Sequence, residues 1–272
     1  MSDDPSGTSR SLRPDEFLSL KGQVAIVTGA GQGVGAQIAR YLASGGAHVV
    51  VNDYFPDRAD SVAQSIVAAG GDAIAIGADV RDLSSIEAMC KRAKDAYGPI
   101  NILINNAGNA GALGDFRSMD TPFWETDPAE WQSFLDVNLI GVMNCCHAVL
   151  PGMVEQRQGR IITIISDAGR VGEPSLAVYA AAKAGAAGLM RSLAKAVGKY
   201  LITANCVSLS TIRVAGARSD ETADARQLRD YTIRRFGTPD DVAGMVLLLS
   251  SESGSWITGQ TIPINGGYST AM

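Results

Sequence analysis

The residues best suited to chemistry are a tyrosine and a lysine four positions apart, Tyr179 and Lys183. Residues at this spacing on a helix project from the same face. A phenol titrates near pH ~10 and is a weak base at neutral pH, but a neighbouring ammonium favours the phenolate and lowers the pKa. The pair is therefore a candidate proton donor and acceptor. A chance pairing on an amphipathic helix is the alternative.

A glycine-rich turn that directly follows an apolar run is the second candidate site. Its residues are Gly29, Gln32, Gly33, Val34 and Gly35. Glycines let the backbone turn tightly, and the N–H groups and dipole of a helix N-terminus attract phosphate. We therefore predict that this turn binds the pyrophosphate of a dinucleotide, with an unliganded glycine turn as the alternative.

Acidic residues end the second and third apolar runs. Asp53 is placed to accept hydrogen bonds from ribose hydroxyls and to repel a 2′-phosphate, which favours NAD over NADP, although Arg58 nearby could meet a phosphate. Asp79 is placed to accept from an adenine amino group while Val80 packs on the ring. For each aspartate, capping of the following helix is the alternative.

Small and polar residues end the fourth and fifth runs. Asn106, Ala107 and Gly108 let the chain pass close under a cofactor, and the amide can tie adjacent strands together. A glycine turn with a left-handed Asn is the alternative. Ser166 lies thirteen residues before Tyr179, and its hydroxyl can hold a substrate oxygen near the phenol.

An asparagine, Asn138, occupies the interior of a long predicted helix, which is an unfavourable place for this residue type. A water-linked proton path to Lys183 would account for it. A solvent-facing or otherwise satisfied side chain is the alternative.

Apolar runs alternate with amphipathic segments along residues 21–272. Runs without polar alternation predict strands that are buried on both faces. The predicted strands are 24–28, 47–52, 73–77, 100–105, 160–165, 203–207 and 261–264, and the predicted helices are 34–44, 58–69, 84–97, 128–156, 177–199 and 240–250. This alternation predicts an α/β fold, a single-domain Rossmann-type doubly wound parallel sheet of about seven strands, with ligands at the carboxyl ends of the strands.

Composition narrows the class of protein. The 272 residues contain no linker, so we predict one domain over 21–272 after a flexible N-terminal tail over 1–20. A net charge of -5 predicts no nucleic-acid partner, and no apolar run of membrane-spanning length is expected. Four cysteines without metal-ligand spacing, beside two histidines, predict reduced core thiols, no metal site and a cytoplasmic location.

Together these motifs resemble the short-chain dehydrogenase/reductase family over residues 21–272. The family's glycine turn falls on Thr28 to Gly35, its adenine aspartate on Asp79 and its Asn-Asn-Ala-Gly on residues 105–108. Its catalytic residues fall on Asn138, Ser166, Tyr179 and Lys183. The resemblance implies strand order 3-2-1-4-5-6-7, hydride transfer with NAD, cofactor contacts from Tyr179, Lys183 and Ile212, and a homotetramer or homodimer with a C-terminal contact.

Two segments, 165–172 and 147–153, are also similar to bacterial dehydrogenases of alicyclic hydroxyacyl-CoA thioesters. The chain departs from the family where Leu209-Ser210 replace Pro-Gly and Val214 replaces Thr. Residues 109–126 are longer than usual and are expected beside the active site.

We therefore expect oxidation of a secondary alcohol with NAD, or the reverse reduction, on a small-molecule substrate such as a hydroxyacyl-CoA or an alicyclic alcohol. A 3-oxoacyl, sugar or steroid dehydrogenase/reductase is the alternative, and a catalytically silent NAD sensor is a third possibility. The arginine-rich segment 213–236 is the expected substrate lid. Its arginines could meet CoA phosphates, or they could form a solvated helix neutralised by neighbouring aspartates.

Overall fold

The computed structural model describes residues 16–109, 121–214, 216 and 220–270. Its centre is a sheet of seven parallel strands in the order β3-β2-β1-β4-β5-β6-β7. The strands are β1 Val24–Val27, β2 His48–Asp53, β3 Asp72–Gly77, β4 Ile102–Asn105, β5 Gly159–Ser166, β6 Ile202–Leu209 and β7 Thr261–Ile264. The predicted fold class and the strand order are confirmed.

Helices cover both faces of the sheet. They are α1 Gly33–Ser44, α2 Pro56–Ala68, α3 Leu83–Tyr97, α4 Pro128–Leu135, α5 Gly141–Gln156, α6 Ala168–Val171, α7 Ala177–Val197, α8 Glu221–Gln227 and α9 Pro239–Ser250. Short 3-10 turns lie at Phe123–Glu125, Pro174–Leu176, Gly198–Tyr200, Leu228–Asp230 and Glu252–Gly254. Neither α6 nor α8 was predicted, because each is too short to show a helical period of apolar residues.

Two apolar layers hold the sheet between the helices. Helices α1, α2 and α9 pack on one face, and α3, α5 and α7 pack on the other. In β2, Val49 and Val51 face the first layer while Val50 faces the second. A strand covered on both sides needs apolar residues at every position, which explains the unbroken apolar runs. All four cysteines are buried and free, as predicted.

The predicted helix 128–156 is one continuous rod with a π-helical turn, Asp136–Ile140, between α4 and α5. The carboxylate of Asp127 caps its start by accepting from the Ala129 N–H at 2.9 Å. A π-turn is rare and is frequently found at functional sites. Asn138, a predicted catalytic residue, lies in the middle of this turn.

This rod, Pro128–Gln156, is long and apolar enough to cross a membrane by length and composition, with a mean hydropathy of 1.5 over its most apolar window. The prediction that no apolar run approaches that length is therefore wrong. Packing explains the composition, because α5 lies against α3, α7 and strands β4 and β5 and contributes to a buried layer. An interior helix of a sheet protein needs a broad apolar face for that reason.

The packed domain includes residues before residue 21. Leu20, assigned to the tail, is fully buried, and its N–H donates to the Gly45 carbonyl at 2.7 Å. The Ser253 hydroxyl donates to the Phe17 carbonyl at 2.6 Å. Residues 17–20 are therefore part of the domain, and residues 1–15 lie outside the described part of the chain.

Candidate active site

A cleft of about 1060 Å³ opens at the carboxyl ends of β1 to β4. Its volume is slightly above the usual range of about 300–1,000 Å³ for ligand sites. The predicted cofactor residues that line it are Gly29, Gln32, Gly33, Val34, Gly35, Asp53, Asp79, Val80, Asn106, Ala107 and Gly108. The fold thus gathers residues from four strand ends into one cleft, at the position where doubly wound sheets bind ligands.

The glycine turn requires its glycines for two reasons. Gly29 and Gly33 have φ values of 61° and 57°, in the left-handed region that glycine favours. A Cβ on Gly29 would lie 2.8 Å from the Ala107 Cα. At the start of α1, the Gln32 side chain makes no capping hydrogen bond and the first turn carries no acidic residue. These features fit a pyrophosphate on the helix N-terminus.

The ends of β1 and β4 are fastened together by Asn106. Its Nδ2 donates to the carbonyls of Thr28 and Gly29 at 2.9 and 3.0 Å, and the Thr28 hydroxyl accepts from the Asn106 and Ala107 N–H groups at 3.1 Å. Among the described residues, positive φ values outside glycine occur at Arg157 and Leu201. The left-handed Asn turn is therefore wrong, and the predicted tie between strands is confirmed.

Asp53 is 7% exposed at the end of β2. Its two oxygens accept from the N–H groups of Gly31 and Phe55, both at 3.0 Å. Because Phe55 is the N-cap residue of α2, Asp53 does not cap that helix. The Arg58 guanidinium stacks over the Phe55 ring, 4.3 Å from its centre.

Asp79 has a partner that was not predicted. Its carboxylate forms a bidentate ion pair with the Arg81 guanidinium, at 3.0 and 2.6 Å, which holds the pKa of Asp79 below its usual value. Asp82 caps α3, so the capping alternative for Asp79 is wrong. An adenine amino group would share the Asp79 carboxylate with Arg81. The Asp-x-Arg spacing in the sequence was the available signal for this pair.

Lys183 is 4% exposed, so its side chain does not lie on the solvent-facing side of α7. Its Nζ donates to the Ile164 carbonyl at 3.0 Å and lies 5.7 Å from the centre of the Tyr179 ring. The spacing on α7 therefore brings the two side chains together as predicted. Both lie beside the end of β5, where Ser166 is located.

The pKa of Tyr179 departs from the prediction. Burial raises the pKa of Tyr179, and the Ser166 hydroxyl opposes that rise. Burial also lowers the pKa of Lys183 to about 8. The expected lowering of the Tyr179 pKa by Lys183 is therefore wrong for this state of the protein, because desolvation disfavours the charged form of each group.

Asn138 is fully buried, which excludes a solvent-facing side chain. Its Nδ2 donates to the carbonyls of Asn109 and Phe134 at 2.8 and 2.9 Å, whereas its Oδ1 has no hydrogen-bond partner in the described structure. A Cβ on Gly108 would lie 3.0 Å from this Oδ1 and 3.2 Å from the Lys183 Nζ. The bare glycine thus leaves the acceptor and the ammonium facing the same small space.

Three predicted cofactor contacts are not on the walls of the large cleft. Ile212 forms a β-bridge with Gly237, and the nearby Val214 lines the cleft instead. Lys183 lies behind Gly108, and Tyr179 borders a second cavity of about 380 Å³. The sequence contains no helical or strand period around residue 212 that would have shown which side chain points inward.

The second cavity lies between α4, the start of α7 and residues 121–126. The described end of the long segment 109–126 therefore borders Tyr179, and residues 110–120 lie outside the described part. In the lid segment, Arg213 pairs with Asp224 at 2.6 Å and Arg235 with Asp241 at 2.7 Å. These pairs support the neutralised alternative for those two arginines. Residues 215 and 217–219 are not described.

A family model described as enoyl-(acyl carrier protein) reductase matches residues 29–269. The chain belongs to the short-chain dehydrogenase/reductase family. A curated relative, the 3-oxoacyl-(acyl-carrier-protein) reductase FabG of Staphylococcus aureus, is 38% identical over 246 residues, which are 89% of this chain and 96% of the relative. The BbsD subunit of a hydroxy(phenyl)methylsuccinyl-CoA dehydrogenase from Thauera aromatica is 34% identical over 93% of this chain and 98% of its own.

Solved structures agree with this assignment. A gluconate 5-dehydrogenase from Burkholderia cenocepacia in complex with NADP and tartrate superposes with a TM-score of 0.87 at 28% identity, covering 96% of this chain and 100% of that one. A dehydrogenase/reductase from Sinorhizobium meliloti gives a TM-score of 0.84 at 32% identity, covering 94% and 98%. As a family member, the chain is an oxidoreductase that interconverts secondary alcohols and ketones with a nicotinamide dinucleotide.

Proposed function

We propose that the protein is an NAD-dependent dehydrogenase of a secondary alcohol, or the reverse carbonyl reductase, in which Tyr179 exchanges the substrate proton. The burial of Lys183 between Tyr179, the Ile164 carbonyl and Gly108 carries this proposal. A buried ammonium without a carboxylate partner among the described residues is costly, and such groups cluster at functional sites. A structural helix would not need one.

In this proposal a role is given to each of the four polar residues Asn138, Ser166, Tyr179 and Lys183. Bound nicotinamide supplies the hydride acceptor or donor. Tyr179 takes the hydroxyl proton in oxidation and returns it to the carbonyl oxygen in reduction. Ser166, next to the phenol, orients the substrate oxygen and stabilises charge that develops on it.

Lys183 and Asn138 act behind the phenol. Lys183 holds a positive charge near the Tyr179 ring below pH of about 8, its lowered pKa. The unpartnered Asn138 Oδ1 can accept from a water that Lys183 also contacts beside Gly108. This pair would carry protons between Tyr179 and solvent.

The pKa directions support a protonated phenol at rest. Because burial raises the pKa of Tyr179, the residue carries its proton at neutral pH and is ready to donate it. That state suits carbonyl reduction directly. Alcohol oxidation instead requires Tyr179 as the phenolate. A positive charge in the site in addition to that of Lys183 would favour the phenolate.

NAD rather than NADP is proposed from Asp53. A buried carboxylate held by two backbone N–H groups is fixed in place and would repel a 2′-phosphate. Arg58 is engaged over the Phe55 ring, although it also lines the cleft. The gluconate 5-dehydrogenase structure contains NADP, so this fold by itself does not decide between the two cofactors.

For the substrate, we propose a hydroxyacyl-CoA or an alicyclic alcohol, supported by the similarity to BbsD. A 3-oxoacyl reductase is the second candidate, and the similarity to FabG favours it. Sugar and steroid alcohols are further candidate substrates, because they are also secondary alcohols. A catalytically silent NAD sensor is disfavoured by the burial of Lys183 and Asn138 around one space.

The deciding experiment offers the purified protein panels of hydroxyacyl-CoA thioesters, alicyclic alcohols, sugars and steroids with NAD or NADP. Formation of NADH is followed by fluorescence, and 3-oxoacyl thioesters are offered with NADH or NADPH for the reverse direction. We expect turnover with a thioester or alicyclic alcohol and NAD. Tight NAD binding without turnover on any panel would support the sensor instead.

We also propose a cytoplasmic homotetramer, or a homodimer, with the β7 region at a contact between subunits. The four buried free thiols suit a reducing compartment. Trp256, just before β7, is 97% exposed, which is unusual for a tryptophan and favours an intersubunit contact. Light scattering of wild type and Trp256→Ser would test it, and an unchanged mass would remove Trp256 from the interface.

A further inference from the structure

A buried carboxylate that accepts several side-chain hydrogen bonds, Asp167, lies next to the proposed catalytic serine. Asp167 directly follows Ser166, is 1% exposed, and its N–H donates to the Leu209 carbonyl at 2.8 Å. Neither the glycine turn nor the Tyr–Lys chemistry uses it. A buried carboxylate at a strand end therefore needs another explanation.

Four side chains donate to this carboxylate. Ser208 and Arg170 bond Oδ1 at 2.7 and 2.8 Å, and Asn265 and Ser269 bond Oδ2 at 2.6 and 2.9 Å. Ser208 lies on the neighbouring strand β6, while Asn265 and Ser269 follow β7. Asp167 therefore joins the end of β5 to two residues that lie 98 and 102 positions later in the chain.

The segment 265–269 also contacts the lid on its other side. The Ile233 N–H donates to the Gly266 carbonyl at 2.8 Å, and the Thr232 hydroxyl donates to the Gly267 carbonyl at 3.2 Å. The rings of Tyr231 and Tyr268 pack 5.3 Å apart. Residues 265–269 thus lie between Asp167 and residues 231–233 of the expected lid segment.

Two glycines make this close approach possible. Gly266 and Gly267 have φ values of 61° and 78°. A Cβ on Gly267 would lie 2.6 Å from the Thr232 Cβ, so any side chain would push the two segments apart. The contact with residues 231–233 therefore depends on glycine at positions 266 and 267.

The unusual Leu209-Ser210 pair belongs to the same arrangement. Leu209 continues β6 and pairs in register with Ser166 on one side and Ile264 on the other. The Ser210 hydroxyl donates to the Asn265 carbonyl at 3.2 Å. Of the two residues that replace Pro-Gly, Leu209 therefore extends the strand and Ser210 binds the segment that holds Asp167.

We propose that Asp167 is a positioning residue that couples Ser166 to the lid residues 231–233 through the segment 265–269. The coupling rests on the proposed function for its catalytic meaning. Movement of the lid onto a substrate would act through residues 265–269 on the Asp167 carboxylate and so on the placement of the Ser166 hydroxyl. Ser166 would then be correctly placed only when the lid is docked.

The first test replaces Asp167 by the isosteric, uncharged asparagine. We expect Asp167→Asn to lower kcat at least tenfold while the Kd for NAD stays within twofold. Hydrogen–deuterium exchange should quicken in two places, residues 166–172 and residues 231–237. Asp95→Asn, which removes only the exposed ion pair with Lys91, is the control and should change none of these.

A purely local structural role would give a different result. Faster exchange confined to residues 166–172, with wild-type rates at 231–237, would overturn the coupling even if kcat fell. Exchange needs no substrate, so it decides the coupling even if the protein oxidises no alcohol. A protein that oxidised none of the alcohols would refute the proposed function and would leave the exchange result to decide the coupling.

Ser269 provides the second test, in case Asp167→Asn does not fold. Ser269→Ala removes one donor to the carboxylate and Ser269→Thr retains the hydroxyl. We expect Ala to quicken exchange at both 166–172 and 231–237 and Thr to restore it. Equal behaviour of the Ala and Thr variants would contradict the proposal.

Discussion

Asp53 and Asp167 are both buried carboxylates at strand ends, but they are held in different ways. Asp53, at the end of β2, accepts from the backbone N–H groups of Gly31 and Phe55. Asp167, after β5, accepts from side chains on α6, on β6 and beyond β7. A carboxylate bound by backbone depends on the local course of the chain, whereas one bound by side chains depends on the identity of distant residues.

The same contrast separates two halves of the site. The dinucleotide half is the cleft at the ends of β1 to β4, and the reaction half comprises the four residues proposed for the chemistry. In the dinucleotide half, Gly29 and Asn106 create the cleft through backbone conformation and backbone hydrogen bonds. In the reaction half, Lys183 and Asn138 are brought beside Gly108 from two different helices. We therefore expect changes in the first half to act on cofactor affinity and changes in the second to act on turnover.

The largest effect should come from Tyr179→Phe, which removes the proton-transferring hydroxyl from the reaction half. General acid–base groups contribute ~10²–10⁴-fold to rates, so we expect turnover to fall by that order. NAD affinity, measured by fluorescence titration, should stay unchanged. Tyr200→Phe, outside both halves, is the matched control. If Tyr179→Phe turned over at the wild-type rate, the division between the halves would be lost.

A glycine substitution should break the dinucleotide half. Gly29→Ala and Gly70→Ala both place alanine at a positive φ, but only at Gly29 does the new Cβ meet another residue, Ala107. The shared backbone strain costs ~1–2 kcal/mol and overpacking at Gly29 adds ~1–3 kcal/mol. Chemical denaturation of both variants measures the difference. NAD affinity should fall only for Gly29→Ala, and equal stability losses would contradict the close approach.

Asp53→Asn should change the choice between NAD and NADP. Hydrogen bonds to charged groups are worth ~1.5–3 kcal/mol, which corresponds to a rise in the Kd for NAD of about tenfold or more. NADP should lose less, because the charge that repels its 2′-phosphate is also removed. Titrations with both cofactors measure the ratio, with exposed Asp60→Asn as control. Equal losses would remove the preference for NAD.

The last effect is on stability and concerns pH and the buried Lys183. Its pKa of about 8 in the folded protein lies below the unfolded value near ~10.4, so the unfolded state binds more protons between these two values. Stability from this group is therefore lowest below pH of about 8 and rises as the pH approaches the unfolded value. Thermal melts across this range should show a gain in wild type that is absent in Lys183→Met. Parallel profiles would show that Lys183 does not titrate in the fold.

Sequence patterns over a few residues were sufficient to predict the parts of the structure that depend on residues nearby in the chain. The apolar runs predicted each strand of the sheet because strands covered on both faces cannot carry polar alternation. The glycine turn was singled out as a ligand-binding turn, and it lines the cleft, because its course depends on backbone conformation within a few residues. Tyr179 and Lys183 met because helical geometry fixes residues four apart.

Other predictions failed where contacts between distant residues decide the outcome. The pKa of Tyr179 rises because the assembled core desolvates it, which spacing to Lys183 does not reveal. The cofactor contact of Ile212 stays a prediction, because Ile212 pairs with Gly237 and the nearby Val214 lines the cleft. The tail boundary was misplaced because Leu20 is buried by residues from elsewhere in the chain.

The parallel sheet and the glycine turn could be predicted from the amino-acid sequence, because both follow from backbone preferences and apolar patterns over a few residues. The four residues proposed for the chemistry were singled out by their residue types and by the resemblance to the short-chain dehydrogenase/reductase family. The folded structure was needed to show that Asp167 joins Ser166 to the segment 265–269 and that Asn138 and Lys183 share the space beside Gly108. Hydrogen bonds and desolvation act between atoms that are close in space. Residues about one hundred positions apart become neighbours only when the strands have taken their places in the sheet.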